Sequence, residues 1–438
     1  MITEKGWITL LAGLLCLTVA VLTLNYLVLL VAVTVFAFVA TDLVVFHLTG
    51  PRLGPEMFQV DRAPIPARVA VPSDVRLAVG VTYLGSVGFW AEVHDILPVS
   101  LRHYRGHRAD VRYIEPGATV PLEYTVRVDE RGAHRIGPVT VLAIGPLGLS
   151  YTRTTLPPEV DLLGVPSGPL RRPGPALRAL SSPIQGNASL RQRGFGTEIR
   201  SLRDYQDSDD IRLIAWRRST PEHLLVREFE LEARQEYIVV FDESAGMAAG
   251  PAGASGLDLS ASAAWLLAGL VDRSGEDRIG LLRPTDGGSD ILRPGRGRQH
   301  MGKLQAELAR VGVRPGQFDL VRVLDQLSSR LRAHTHLFVF SVAAPPQGAF
   351  LPAYRRFLGL GHRLYFFAPE FSRLYPARRS ANLASADRWA RRTEEERLRA
   401  GIRALRANGV PTFAFHPRNI PFQIASAYGQ VRAWGRAT

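Results

Sequence analysis

The chain has 438 residues, 46% of them hydrophobic, and a formal charge of +13, which is enough length for two or three domains with their own cores. Its single cysteine, Cys16, lies in an apolar stretch, which excludes a disulfide framework and a thiolate metal cluster. Glu4, Lys5 and Asp42 are the only charged residues among the first 50, so the remainder carries +14, a balance that favours anionic partners such as lipid headgroups.

No residue between Gly6 and Thr41 is charged, and the run is far longer than the roughly 20 residues that one membrane span needs. It divides at Asn25-Tyr26 into two predicted spans, Trp7–Leu24 and Tyr26–Leu48, joined by a very short turn. A cleaved signal peptide would be shorter and would end in small residues. Arg52, Arg62 and Arg68 follow the second span, whereas the turn carries no charge. The positive-inside rule therefore places both chain ends and the soluble part in the cytoplasm, as a multi-pass protein of the cell membrane.

After the predicted hairpin of residues 1–50, residues 51–165 read as short strands. VRLAVGVTYLG, FWAEVHDILP, VPLEYTVRVDE and IGPVTVLAIGP alternate between Gly, Pro and Asp punctuation, as in an antiparallel β-sandwich. The Pro/Gly-rich stretch from Pro157 to Pro183 predicts a connector, and residues 166–235 are assigned to it together with the charged segment that follows. Over 236–438 strands alternate with helices. YIVVF (237–241), RIGLLRP, DILRPG, HLFVFSV, HRLYFFAPE and a last strand PTFAFHP are strands, and LDLSASAAWLLAGLVDRSG, MGKLQAELARVG, LVRVLDQLSSRLRAH, LPAYRRFLGLG and EEERLRAGIRALRANG are helices. That order predicts a doubly wound α/β domain. The chain is thus multidomain: two transmembrane helices, a β-sandwich and an α/β domain.

The segment 194–237 alternates charge at close range, through Arg200, Arg203, Asp204, Asp207, Asp209, Asp210, Arg212, Arg217, Arg218, Arg227 and Glu228. Such spacing predicts an internal ion-pair network with Tyr205 and Trp216 as apolar anchors. Gly194, Gly196, Glu198, Leu202-Arg203, Tyr205, Asp209-Asp210, Arg212, Trp216 and Val226-Arg227-Glu228 together resemble the motif of the prokaryotic family called domain of unknown function 58. RGAHRIGPVTVLAIGPLGL (131–149) and the two-helix N-terminus resemble that family too, and Ser208 and Ala215 depart from it where a Gly and an Asp are usual. The resemblance implies a C-terminal domain like a von Willebrand factor A domain, and an adaptor or co-chaperone role beside a MoxR-type AAA+ ATPase at the membrane.

A von Willebrand factor A domain can hold Mg²⁺ at the C-terminal edge of its sheet through hydroxyl and carboxylate oxygens. Of the Asp-x-Ser-x-Ser signature this chain keeps Asp242 and Ser244, the two residues that would ligate the ion. Gly246 stands at the second Ser, Phe318 at the Thr position, and Ser341 or Val342 at the distant Asp. Glu243 and Asp319 are the candidates to compensate, and capping of the following turn is the structural use of Asp242 and Ser244. A hydrolase reading makes Ser244 a nucleophile on a strand-to-helix turn, but Asp242 occupies the place where the elbow needs a small residue. The Asp204/Asp207/Asp209/Asp210 cluster could hold a cation, although the interleaved arginines favour pairing. The basic residues are dispersed rather than gathered with aromatics, which argues against specific nucleic-acid binding. No Walker loop, H-E-x-x-H or C-x-x-C is present. The expectation is a membrane-bound, non-enzymatic scaffold without a cofactor, whose partners are the lipid membrane, an AAA+ ATPase and other membrane or assembly proteins. The alternatives are a metal-dependent binding module and a serine hydrolase.

Overall fold

The computed structural model describes all positions except 1, 50–53, 168–192, 207–208, 221–222, 231–234, 276, 286–287, 315–317, 329–330, 332–333, 345–347, 375–380, 417–418 and 438. The chain divides into two compact units, Met1–Val165 and Pro166–Thr438.

The first unit opens with α1 (Glu4–Thr23) and α2 (Tyr26–Thr49), two helices long and apolar enough to cross a membrane. Leu24 turns the chain in a left-handed conformation, and the Asn25 side chain accepts from the Leu27 backbone amide at 2.9 Å, which starts α2. The buried residues of α1 are Gly6, Gly13 and Ala20, one every seven positions. Such a small-residue stripe lets two apolar helices approach closely. A side chain at Gly13 would press on Val35 at 3.0 Å.

Eleven strands follow among the described residues: β1 (Phe58–Arg62), β2 (Arg68–Val71), β3 (Ser73–Tyr83), β4 (Phe89–Asp95), β5 (Leu101–His107), β6 (Ala109–Ile114), β7 (Thr119–Val128), β8 (Gly132–Ile136), β9 (Val139–Ile144), β10 (Tyr151–Leu156) and β11 (Val160–Pro166). They form sheets ordered β1-β3-β7-β5, β10-β9-β4-β6 and β2-β11-β8. Pairing is antiparallel throughout the first two. Strict alternation in β3 and β7 turns Leu77, Val79, Val81, Leu122 and Val126 inward. Val79, Val81 and Leu122 share one core with Ala91, Val93, Val139 and Val141 of the second sheet. Each valine or leucine among them stabilises the fold by about 1.5–3 kcal/mol on burial. The predicted connector needs correction at its start. Leu162 and Val165 are buried, and β11 pairs with β8 from Val160 to Gly164. Apolar alternation overrides the flanking prolines there, and residues 168–183 of that connector lie outside the described residues.

The second unit begins with an antiparallel ribbon of β12 (Arg193–Asp204) and β13 (Leu225–Glu230). Then come β14 (Glu236–Phe241), α3 (Gly256–Arg273), β15 (Arg278–Thr285), β16 (Gly288–Gly295), α4 (Arg298–Arg310), α5 (Leu320–Ser328), β17 (Thr335–Phe340), α6 (Phe350–Gly359), β18 (Arg363–Pro369), α7 (Ala381–Ala407), β19 (Thr412–Phe415) and α8 (Ile420–Ala437). Six strands are ordered β16-β15-β14-β17-β18-β19, parallel except for β16. Tyr237, Val239 and Phe241 face a core completed by α3, α4 and α8. Ile238 and Val240 face another completed by α5, α6 and the end of α7. Burial on both faces explains the unbroken apolar run of β14. A helix, α8, follows the last of the predicted strands.

Candidate functional site at the sheet's C-terminal edge

After β14 the chain turns to α3 on one face, and after β17 it turns to α6 on the other. The loops diverge at the C-terminal ends of these two neighbouring strands, where open α/β sheets form a crevice. Asp242 and Ser341 are the residues that leave these strands. The Asp242 amide donates to the Phe340 carbonyl at 2.9 Å, which carries the ladder one residue further. Its carboxylate is buried. Oδ1 accepts from the Ser244 amide at 2.9 Å, and Oδ2 accepts from the Ser341 hydroxyl at 2.6 Å. Of the two residues weighed for the distant-acid position, Ser341 is the one that reaches Asp242. The backbone bond to Ser244 is the turn-capping use of Asp242.

Glu243 is equally buried but faces cations. Arg283 Nε donates to its Oε1 at 3.1 Å, and Arg314 Nε lies 2.6 Å from Oε2. Arg283 also lies 3.5 Å from Glu307, which is paired with Arg310 at 2.7 Å. Two glutamates thus meet three arginines. Asp319 accepts from the Arg322 amide at 3.1 Å and caps α5. Phe318 packs on the core beneath. The two acidic residues read as compensating ligands are therefore committed elsewhere, Glu243 because two arginines neutralise it and Asp319 because it satisfies a helix end.

What remains for a cation is one carboxylate, Asp242, with the Ser244 and Ser341 hydroxyls. Among the described residues no cluster of three or more His, Cys, Asp or Glu side chains is placed to hold a metal. Mg²⁺ favours several hard oxygens in octahedral array, and this donor set, with Arg283 and Arg314 close by, fits it poorly. Gly246 is not demanded by the backbone: a β-carbon there would sit 3.5 Å from Val342 and 3.7 Å from the Ser244 hydroxyl, ordinary contact distances. Ser244 makes no hydrogen bond to a histidine among the described residues, so it lacks the base that activates a serine nucleophile.

Beside Ser341 the edge opens into a cleft of about 330 Å³ whose lining includes Val342, Ala343, Phe371, Arg397 and Leu398. Close approach of α7 shapes it, since a side chain at Gly401 would collide with the Ala343 carbonyl. Arg391 donates to the Ser372 carbonyl at 2.5 Å and the Ser372 hydroxyl donates to Glu395 at 3.3 Å, which fixes the opposite wall.

The charged motif folds as the turn between β12 and β13. Arg203 forks onto Asp209, with NH1 at 2.6 Å and NH2 at 2.5 Å, and the Gln206 amide donates to the same carboxylate at 2.9 Å. Asp210 accepts from the Arg212 amide at 3.0 Å. Arg227 reaches the Ile214 carbonyl at 3.2 Å. Asp204 faces His223 at 3.4 Å on the exposed side. Glu198 and Glu228 lie on the two strands, while Asp207 lies outside the described residues. One expectation is corrected here: Trp216 is 64% exposed and Tyr205 only half-buried, whereas Ile214 and Val226 fill the small core. A three-residue helical turn puts Ile214 inward and Trp216 outward.

Sequence reading missed two buried carboxylates of the first unit. Asp95 is bidentate with Arg62, at 2.7 and 2.9 Å, and accepts from the Tyr124 hydroxyl at 2.5 Å. Burial and then the Asp95 charge push the Tyr124 hydroxyl well above its ordinary pKa. Asp42, near the end of α2, accepts from the Leu147 amide at 2.7 Å and the Ser150 hydroxyl at 2.6 Å. An acidic residue late in an apolar helix was the only signal of the second.

Residues 201–344 match the family described as Protein of unknown function DUF58, the family that the motif resembles. Solved structures similar to the chain include the conserved hypothetical protein BatB from Bacteroides thetaiotaomicron, with 12% identity, 46% of this chain and 99% of that chain covered and a TM-score of 0.33. The SpRpn10 VWA domain has 11% identity over 45% of this chain and 94% of its own, with a TM-score of 0.28. Trypsin-activated alpha-2-macroglobulin from Escherichia coli has 16% identity over 25% of this chain and 7% of its own, with a TM-score of 0.21. The curated proteins contain no match.

Proposed function

We propose that the chain is a membrane-held adaptor without an activity of its own, which binds a partner protein at the C-terminal edge of its six-stranded sheet. In this reading α1 and α2 cross the cell membrane as a hairpin, with both chain ends and the folded part in the cytoplasm. The observation that carries the reading is the pairing of an internally bonded polar edge with an apolar cleft. Asp242 and Glu243 are held by Ser341, Arg283 and Arg314, and the cleft beside them is walled by Val342, Phe371 and Leu398. A concave, largely apolar surface with a few fixed polar groups suits recognition of a protruding side chain. Serine hydrolysis would need a base at Ser244, and metal-bridged binding would need more than one free carboxylate.

The resemblance to the family named by its motif makes a MoxR-type AAA+ ATPase the partner of choice. Purification of the full chain from detergent-solubilised membranes, with and without nucleotide, tests this. The ATPase is expected to co-purify and to be lost from a Val342→Arg chain, since Val342 is a partly exposed residue at the cleft. Absence of any AAA+ protein under both nucleotide conditions would refute the partner. Equal recovery with the variant would refute the site.

A further inference from the structure

The β-rich part of the first unit grips the helical hairpin at one end, and a row of apolar and aromatic residues lies beside that grip. Thr3, just before α1, gives two hydrogen bonds to the loop between β9 and β10: its amide donates to the Leu149 carbonyl at 2.9 Å and its hydroxyl to the Gly148 carbonyl at 2.9 Å. Asp42 takes the Leu147 amide and the Ser150 hydroxyl of the same loop. A side chain at Gly145 would collide with Ser150 and the Asp42 carboxylate, so glycine there makes room for the contact. Phe46, one turn further along α2, packs on the core shared by the two large sheets.

These contacts fix how much helix is left for the bilayer. At 1.5 Å per residue Gly6–Thr23 spans about 27 Å and Tyr26–Thr41 about 24 Å. The hydrocarbon core is about 30 Å thick, so no helix remains as a spacer between lipid and the gripping loop. The end of the β-structure must then meet the interface.

That end is built for it. Trp90 pairs across the sheet with Tyr113 and with Ile144, and Ile144 pairs with Tyr151. Directly opposed residues share a face, so the four make one row on the outer surface. Trp90 is 52% and Tyr113 48% exposed, with ring centroids 6.0 Å apart. The adjoining β3–β4 turn presents Leu84 and Val87, 56% and 48% exposed. The next row inward is Val111, Glu92, Leu142 and Arg153, where charge resumes about 7 Å away at two residues of strand.

We propose that this end of the β-structure, with Leu84, Val87, Trp90 and Tyr113, lies within the lipid headgroup layer as a second, interfacial membrane contact. The inference rests on the reading of α1 and α2 as membrane spans. Tyrosine and tryptophan favour the headgroup level, and the depth of the apolar row suits interfacial burial of about 5–10 Å. The contact adds a third point of attachment to the two helices, so that the β-structure is held against the bilayer at an aromatic rim as well.

Cys16 is the only cysteine, so a Cys16→Ser chain accepts single nitroxide labels at Val87→Cys, Val99→Cys and Leu30→Cys in phosphatidylcholine–phosphatidylglycerol vesicles. Val99 is fully exposed beyond the opposite end of β4, and Leu30 is exposed in the second turn of α2, inside the span. The ratio of oxygen to nickel-chelate collision rates is expected to be several-fold higher at residue 87 than at residue 99, and highest at residue 30. A residue 87 as water-exposed as residue 99, with residue 30 in lipid, would overturn the interfacial contact while leaving the spans intact. Water exposure at all three would overturn the spans themselves. Headgroup-brominated lipid supplies a second readout: quenching of tryptophan emission should fall on Trp90→Phe, and unchanged quenching would count against the contact.

Discussion

In the β-rich unit Asp95 is enclosed by Arg62 and Tyr124, and its side chain is wholly buried with that of Arg62 nearly so. At the edge of the six-stranded sheet Asp242 and Glu243 are also buried, but Asp242 is bonded to Ser341, whose neighbour Val342 lines an apolar cleft. The first arrangement ties β1, β4 and β7 together and presents nothing to solvent. The second stiffens a rim and leaves a concavity beside it. Buried charge is costly unless paired and hydrogen-bonded, so both arrangements satisfy the same requirement. What separates a lock from a site is the surface left next to it.

The comparison breaks most visibly at Asp95. Asp95→Asn leaves the Arg62 guanidinium buried without a counter-ion, and loss of about 3–5 kcal/mol is expected. Denaturant unfolding of the full chain in detergent, followed by far-ultraviolet circular dichroism, checks it. A change within error would show that the pair is not a lock.

A second test is pH. His336 is stacked between Tyr237 and Tyr365, with ring centroids at 5.2 and 5.8 Å. Burial, then the charge of Arg363 and of His334, lowers it to about 4. The folded state thus refuses a proton that the unfolded state accepts near its ordinary value of 6.5. Stability is full above that value and falls as pH drops toward 4, by about 3 kcal/mol. His362, lowered by burial and then by His334, adds in the same direction. His336→Phe should flatten the slope between pH 6.5 and 4, and a slope unchanged by the substitution would assign it to other groups.

The smallest stability effect separates rim from core in the charged motif. Trp216 is exposed, and Trp216→Ala is expected to shift unfolding by no more than about 0.5 kcal/mol. A loss of several times that would restore the apolar-anchor role that sequence reading gave it.

The alternation of β3 and β7 and the unbroken run of β14 were legible because one face or both faces of each strand are buried. β5 was illegible for the opposite reason: only Leu101 is buried among its seven residues, so an edge strand leaves no period to read. The helix α8 was hidden by Pro421 near its start and Gly429 in its middle, both poor helix formers. At the candidate site Asp242 and Ser244 were found by matching the Asp-x-Ser-x-Ser signature that the resemblance implies. The Ser341–Asp242 bond spans 99 residues and the Ser150–Asp42 bond spans 108, and no local pattern marks contacts set by topology. Ser341 was placed only by counting from the resemblance, and Glu243's arginines were not foreseen because Arg283 comes from β15 and Arg314 from the loop after α4, both far along the chain.

The adaptor account is tested most directly by measuring binding of the purified AAA+ ATPase to the full chain in lipid nanodiscs, wild type beside Val342→Arg. The account predicts saturable binding that weakens at least tenfold, about 1.4 kcal/mol, in the variant. Binding of equal strength to both chains, or none to either, would contradict it.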